Sequence, residues 1–371
     1  MTNVRRRSFG VDRLSGLYLA GLLIVVFGIW IPHLFLTTST LHTVADEEPV
    51  TMMLGLAVLI PLVGGNFDLS VGAVANLSGI LAVVMQNNYH WSVGESIALA
   101  LATSVLIGAV NGFLIVKWHV NSFIVTLGMS TLLAAVLDIV TANSQPLIPS
   151  SSVWNNLATF QIGGFEAYVF YAFICSFIVW WILDHTPFGR YLYAIGANKE
   201  ASRLAGVRVD QSVWWSMVLS ALISGVAGVL YCSASGPALT FGPSLLLPAF
   251  AACFLGATQI RPGRFNVWGS VLAVYVLAIG VSGLQLVTGQ QWINEMFNGV
   301  ALIGAVSFAV WRQESSKKAR IRTTDPDEGY DDQRRESEGR LLKRGGAEVI
   351  DSFRLPTAEA GTSWRHESNH E

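Results

Sequence analysis

Apolar side chains in this chain gather into ten long runs of fourteen to twenty-two residues. They lie at about 16–36, 50–64, 69–85, 96–116, 123–141, 168–183, 213–234, 245–258, 267–288 and 292–311. A helix rises about 1.5 Å per residue, so most of these runs are long enough to cross a hydrocarbon core of ~30 Å. Backbone groups in lipid must be satisfied within their own segment, which makes each run a helix. The pattern therefore predicts an all-α integral membrane protein with about ten transmembrane helices, the second and eighth short for a straight crossing. One polar interruption stands out, the stretch TPFGRYLYAIGANKEASRLAGV at 186–207. It is too long for a turn and too polar for lipid. Within it, NKEASRLAG at 198–206 predicts a complete small helix. Asn198 is a favoured N-cap, Glu200 sits in the first turn where the helix dipole favours negative charge, and Gly206 suits the C′ position. Ala201, Leu204 and Ala205, at i, i+3 and i+4, make one narrow apolar edge. A helix this short does not hold together alone in water, so something must pack on it.

Composition sharpens the class. The 371 residues are 52% hydrophobic and 13% charged, about half the ~25% charge of soluble domains. Residues 312–371 hold 12 of the 23 Lys+Arg and 13 of the 25 Asp+Glu, leaving only 11 basic and 12 acidic residues for the first 311. A soluble domain of that size cannot cover its surface with so few charges. The chain thus divides into an N-terminal arm (1–15), a transmembrane domain (16–311) and a charged tail (312–371). The tail is poor in apolar residues, with an isolated Trp364, and has the composition of a disordered segment. The first apolar run ends in IWIPHLF without a small-residue cleavage site, which predicts a retained span rather than a signal peptide. Cys175, Cys232 and Cys253 lie in or at the ends of apolar runs and have no metal-ligand spacing.

Charge then orients the bundle. With the N-terminus inside, the outer loops fall at about 37–49, 86–95, 142–167, 235–244 and 289–291, and none contains Lys or Arg. All 23 basic residues lie on the inner side or in the tail, including Lys117, Arg190, Lys199, Arg203, Arg208, Arg261 and Arg264. The outer loops carry Asp46, Glu47, Glu48, Glu95 and Glu166 instead. This is the positive-inside pattern without exception, so both termini and the 186–207 loop are expected in the cytoplasm.

Candidate chemistry is sparse. There is no Gly-rich phosphate loop ending in Lys-Ser/Thr, no H-E-x-x-H, and the seven histidines are scattered. The segment GGNFDLS at 64–70 breaks an apolar run near the inner boundary, with Asp68 placed to cap a helix starting at Leu69. Irregular backbone at membrane depth is tolerated only when buried in protein or lining a cavity. Asp68 and Asp138 are carboxylates in or beside apolar runs, where a charge near the bilayer centre costs ~3 kcal/mol or more. For Asp68 the readings are helix capping or solute contact. For Asp138 they are the membrane boundary or an outer vestibule. Asn66, Asn111, Asn121, Thr126, Gln285 and Asn298 add amide and hydroxyl groups, which serve interhelical hydrogen bonds as well as a pathway. The candidate path is therefore Asn66, Asp68, Asn111, Thr126, Asp138 and Gln285. The bundle as a whole offers amide and hydroxyl groups with almost no fixed charge, which suits a neutral, hydroxyl-rich solute better than an ion.

Three stretches together resemble the permease subunits of ABC importers for monosaccharides of the ribose/xylose/arabinose type. GGNFDLSVGAVANLSGILA at 64–82 is similar to that family's G-G-x-D-L-S-V-G signature, with one extra residue before the Asp. VNSFIVTLGMSTL at 120–132 is similar to its V-P-x-F-I-V-T-L-G segment, with Asn121 in place of Pro. The third is TPFGRYLYAIGANKEASRLAGVRV at 186–209, and further on LGATQIRPGRFNVWGSVLA at 255–273 follows the family pattern with departures at Ala257, Arg261–Pro262 and Phe265. The resemblance implies two permease subunits working as a pair. It also implies an extracytoplasmic sugar-binding protein at the outer face and ABC ATPase subunits at the inner face of a bacterial inner membrane. Glu200, Ala201, Ser202 and Gly206 match the E-A-A-x-x-x-G motif of such permeases. The resemblance thus makes Asn198–Gly206 the coupling helix, with Asn198, Glu200, Ala201, Ser202, Leu204, Ala205 and Gly206 seated on the ATPase. It implies no catalytic residue, metal or cofactor on this chain; ATP and Mg belong to the partner, and no nucleic acid is involved. The competing expectations are an ATP-independent secondary transporter or channel for a small neutral solute, and a membrane scaffold whose tail binds a regulator.

Overall fold

The computed structural model describes residues 15–307. The tail, all but the last residue of the N-terminal arm, and the end of the tenth run (308–311) lie outside the described residues. Helices run in the order α1 Ser15–Trp30, α2 Pro32–Phe35, α3 Thr38–Glu47, α4 Pro49–Val63, α5 Val71–Tyr89, α6 Val93–Lys117, α7 Ser122–Thr141, α8 Ser152–Thr159, α9 Ala167–His185, α10 Pro187–Ala197, α11 Lys199–Leu204, α12 Val209–Ala234, α13 Phe241–Gly256 and α14 Val267–Thr288. A last helix occupies 292–307. A two-stranded hairpin, β1 Gln161–Ile162 with β2 Phe165–Glu166, departs from the all-helical expectation. Its turn is Gly163-Gly164, both at positive φ, which suits the right-handed twist of a tight hairpin.

A helix sits in each of the ten apolar runs. By length and composition, five are able to cross a membrane: α6, α7, α9, α12 and α14; α1 and α13 are apolar but shorter. The polar connections make elements that apolar periodicity does not announce. Ser92 and Glu95 close a capping box at the start of α6, and Ser151 caps α8.

The short second run has a physical explanation. All fifteen residues of α4 are buried, and the helix is enclosed by protein on every side, packed against α9, α12, α13 and α14. Its length is therefore set by its neighbours rather than by the bilayer. Close packing relies on glycine where backbones touch. A Cβ on either Gly72 or Gly242 would overlap the other's carbonyl oxygen, so the starts of α5 and α13 meet backbone to backbone. Asn76 clamps the same crossing, donating to the Leu239 carbonyl and accepting from the Gly242 N–H.

The segment 64–70 differs from expectation in one respect. The helix begins at Val71, with Ser70 at its N-cap and no side-chain cap bond, so Asp68 does not cap a helix starting at Leu69. Gly64 and Gly65 lie against Leu192 and Gly196 of α10, and Asp68 is buried further into the bundle. It bonds Ser220, eleven residues into α12 and hence ~16 Å along that helix from its start. Within the break Asp68 and Ser70 are buried, whereas Gly65 and Phe67 are exposed.

Candidate functional site

The small helix forms at the position and with the caps read from the sequence. The side chain of Asn198 accepts from the Ala201 N–H at 3.0 Å. At the other end Gly206 takes φ +83°, its N–H donates to the Arg203 carbonyl, and the Val207 N–H reaches the Ser202 carbonyl. These two bonds are the Schellman closure. One side chain turns inward: Ser202 is buried and donates to the Asn198 carbonyl at 2.8 Å. Ala201, Leu204 and Ala205 all face outward, and Leu204 is 90% exposed. The apolar edge therefore has no partner among the described residues. Glu200 is exposed beside it, and a Cβ on Gly206 would meet open space.

The residues before the small helix are a second helix, not a loop. Thr186 caps α10 through the Gly189 N–H, with Pro187 at its first position. Gly189, Leu192 and Ile195 bury one face. Gly196 lies against the Val63 carbonyl at the end of α4, where a Cβ would overlap. Tyr193 donates to the Phe265 carbonyl at 2.7 Å, and the Arg264 guanidinium lies 3.6 Å above its ring. Arg261 pairs with Asp184 at 2.8 Å. So α10 is a platform tied to the α4 end and to the loop before α14. The small helix projects from it, braced among the described residues by buried Ser202, by the exposed Arg203–Asp210 pair at 3.2 Å and by its junctions with α10 and α12.

Four of the six candidate path residues come together at the break. Asp68 is 1% exposed, and one carboxylate oxygen accepts from the Ser70 N–H and hydroxyl at 3.0 and 2.6 Å. The other oxygen accepts from Ser220 at 2.8 Å. Asn111 donates to the Ser70 hydroxyl at 2.9 Å, and its own carbonyl oxygen is buried without a partner among the described residues. Thr126 accepts the Leu69 N–H at 3.0 Å, and Ser122 takes that of Phe67 at 3.0 Å. Half-buried Asn66 folds back onto the Gly64 carbonyl. This node ties α5, α6, α7 and α12 together, and each of these bonds is made within the chain. Asp138 and Gln285 lie elsewhere: Asp138 is exposed near the end of α7, and Gln285 is half-buried on α14. Ser70 and Ser220 complete the node, and apolar periodicity gave no signal for either.

A second polar locus lies at the far end of α4. Glu48 sits at the α3–α4 junction, half-buried, and desolvation pushes its carboxyl up to about 7. Thr51, Ser244, Asn294, Glu295 and Asn298 surround the same cavity. Of these groups only Asn298 was noted as a hydrogen-bonding residue in the sequence, and Glu48 only as an outer-loop acid.

These features define a class: a multi-pass helical membrane protein whose bundle is cross-tied by buried polar groups and presents a capped, unpartnered helix at one end. Residues 47–306 match the family described as the permease component of branched-chain amino acid transport systems. The chain belongs to that permease family. Among curated proteins it is similar to the fructose import permease of Rhizobium meliloti, at 27% identity over 299 residues, 78% of this chain and 82% of that protein. It is 28% identical over 276 residues to the ribose import permease of Escherichia coli K12, covering 73% of this chain and 86% of that one. It is 30% identical over 287 residues to the L-arabinose ABC transporter permease of Azospirillum brasilense, covering 75% and 80%. No solved structure matches the chain.

Proposed function

We propose that this protein is the membrane-spanning permease subunit of an ATP-driven ABC importer that brings a monosaccharide or similar polyhydroxylated solute into the cytoplasm of a bacterium. In this reading about ten helices cross the inner membrane, with both termini and the α10–α11 pair on the cytoplasmic side. The observation that carries it is α11 itself. A short helix capped at both ends, with Leu204 almost wholly exposed, presents an apolar edge that no described residue covers. A separate ABC ATPase supplies that partner, seating Asn198, Glu200, Ala201, Leu204, Ala205 and Gly206, while buried Ser202 holds the helix to its own cap. ATP and Mg bind the ATPase, which accounts for a chain without a phosphate loop.

Mechanically, α10 transmits what α11 receives. Closure of the ATPase moves α11; α10 is wedged against the Val63 end of α4 and tied to the loop before α14, so the push reaches the core helix directly. The Asp68 node stiffens α5, α6, α7 and α12 into one body, which favours rigid-body alternation of two paired bundles. The closed and open ATPase bias this equilibrium only through their different affinity for the two arrangements. An extracytoplasmic binding protein delivers the solute, and a second permease subunit completes the pathway. The names of the similar proteins support a sugar as cargo, and the amide- and hydroxyl-rich interior supports a neutral one. The test is solute uptake by vesicles holding the chain with and without its ATPase. Uptake that follows a solute or ion gradient without ATP would instead establish the secondary-transporter reading.

A further inference from the structure

At the end of α4 remote from α11, a cavity of about 420 Å³ opens between the α3–α4 junction, α13, α14 and the last helix. Its apolar wall is Leu245, Val274, Leu277 and Ala278. The lining also includes Glu48, Thr51, Ser244, Asn294, Glu295 and Asn298. Asn298 is 6% exposed and donates once, to Asn294; its carbonyl oxygen takes no hydrogen bond among the described residues. No Lys or Arg lines the cavity to occupy the Glu48 and Glu295 carboxylates. The volume falls within the range of small-molecule pockets, where an apolar wall and a few convergent polar groups fix a ligand's orientation.

A cavity that joins apolar side chains to acceptors without a neighbouring cation matches a sugar ring, which has a C–H face and a rim of hydroxyl donors. We propose that this cavity, built within a single chain by α4, α13, α14 and the last helix, is an outer binding site for a monosaccharide. Glu48 and Asn298 accept its hydroxyls, and Leu277 and Ala278 pack against its apolar face. The inference rests on the import reading for its direction of travel, but occupancy of the cavity does not depend on ATP.

The two are tested separately. In the full chain reconstituted without ATPase, Val281→Cys, at a half-buried position lining the cavity, in a Cys175→Ser background gives one accessible thiol, since Cys232 and Cys253 are buried. A membrane-impermeant methanethiosulfonate reagent modifies it, and D-ribose, D-fructose, L-arabinose, D-allose and putrescine are tried as protectants. A sugar that occupies the cavity slows modification about tenfold at ten times its Kd. Glu48→Gln and Asn298→Ala should each weaken that protection about tenfold while ATPase co-purification stays unchanged. Protection by none of the four sugars, or by the cationic putrescine alone, overturns the proposal whatever the outcome of ATP-dependent uptake. Protection that both variants leave intact overturns the assigned roles of Glu48 and Asn298.

Discussion

Leu204→Ala separates docking from folding because the side chain touches almost nothing in its own chain. At 90% exposure it contributes no appreciable burial to the fold, so its loss should leave stability within about 0.5 kcal/mol of the parent. If the helix seats on an ATPase, the same side chain becomes buried there. Truncation to Ala removes three carbons, worth about 2 kcal/mol at ~0.8 kcal/mol per buried CH₂. That corresponds to roughly 30-fold weaker association. Two measurements on the same preparation decide the matter: the thermal midpoint of the permease in nanodiscs, and the Kd for the ATPase titrated onto it. Unchanged stability with a Kd raised about 30-fold supports docking through this edge. An unchanged Kd for Leu204→Ala, and for Ala201→Asp on the same edge, would refute it.

Other perturbations probe the framework. Gly242→Ala places a Cβ onto the Gly72 carbonyl and should cost about 1–3 kcal/mol, read as a lowered thermal midpoint. Ser220→Ala leaves one oxygen of the Asp68 carboxylate without its donor and should cost about 1–3 kcal/mol. Ser216→Ala, whose hydroxyl bonds only a carbonyl of its own helix, should cost less than Ser220→Ala. Glu48 gives a pH signature. Burial is the main cause of its rise to about 7, with Glu47 adding to it and a Thr51 hydrogen bond opposing it; Glu295 lines the same cavity. The folded state then holds the proton more tightly than the unfolded chain, so Glu48 costs stability increasingly as pH rises from the ordinary carboxylate range through about 7. Glu48→Gln should therefore raise the thermal midpoint at about pH 8, with the gain shrinking towards pH 5. A gain that grows on acidification contradicts this sign.

The parts of this protein that local rules govern were legible in its residues. Capping depends on a few neighbours, so Asn198 and Gly206 marked α11 to within a residue, and the exposed Ala201–Leu204–Ala205 edge followed from helical spacing. The apolar runs located the helices for the same reason. What local rules do not contain is depth and company. Asp68 is placed by its bond to Ser220, 152 residues away; nothing near position 68 distinguishes a cap at the boundary from a strut in the middle. The short α4 resembles a marginal span because hydropathy does not separate lipid from protein as surroundings. Helix α10 was hidden because its buried face, Gly189, Leu192 and Ile195, includes a glycine, which hydropathy does not count. The cavity at Glu48 and Asn298 brings together residues from opposite ends of the chain, and only folding joins them.

The central claim is that α11 links solute passage to ATP hydrolysis on another protein. It is tested most directly in proteoliposomes carrying this chain, a candidate ABC ATPase and the binding protein, with labelled sugar outside and ATP inside. The account predicts sugar accumulation against its gradient that requires ATP and is lost in Gly206→Pro together with ATPase binding. Accumulation that proceeds without ATP, or survives Gly206→Pro with the ATPase released, would contradict it.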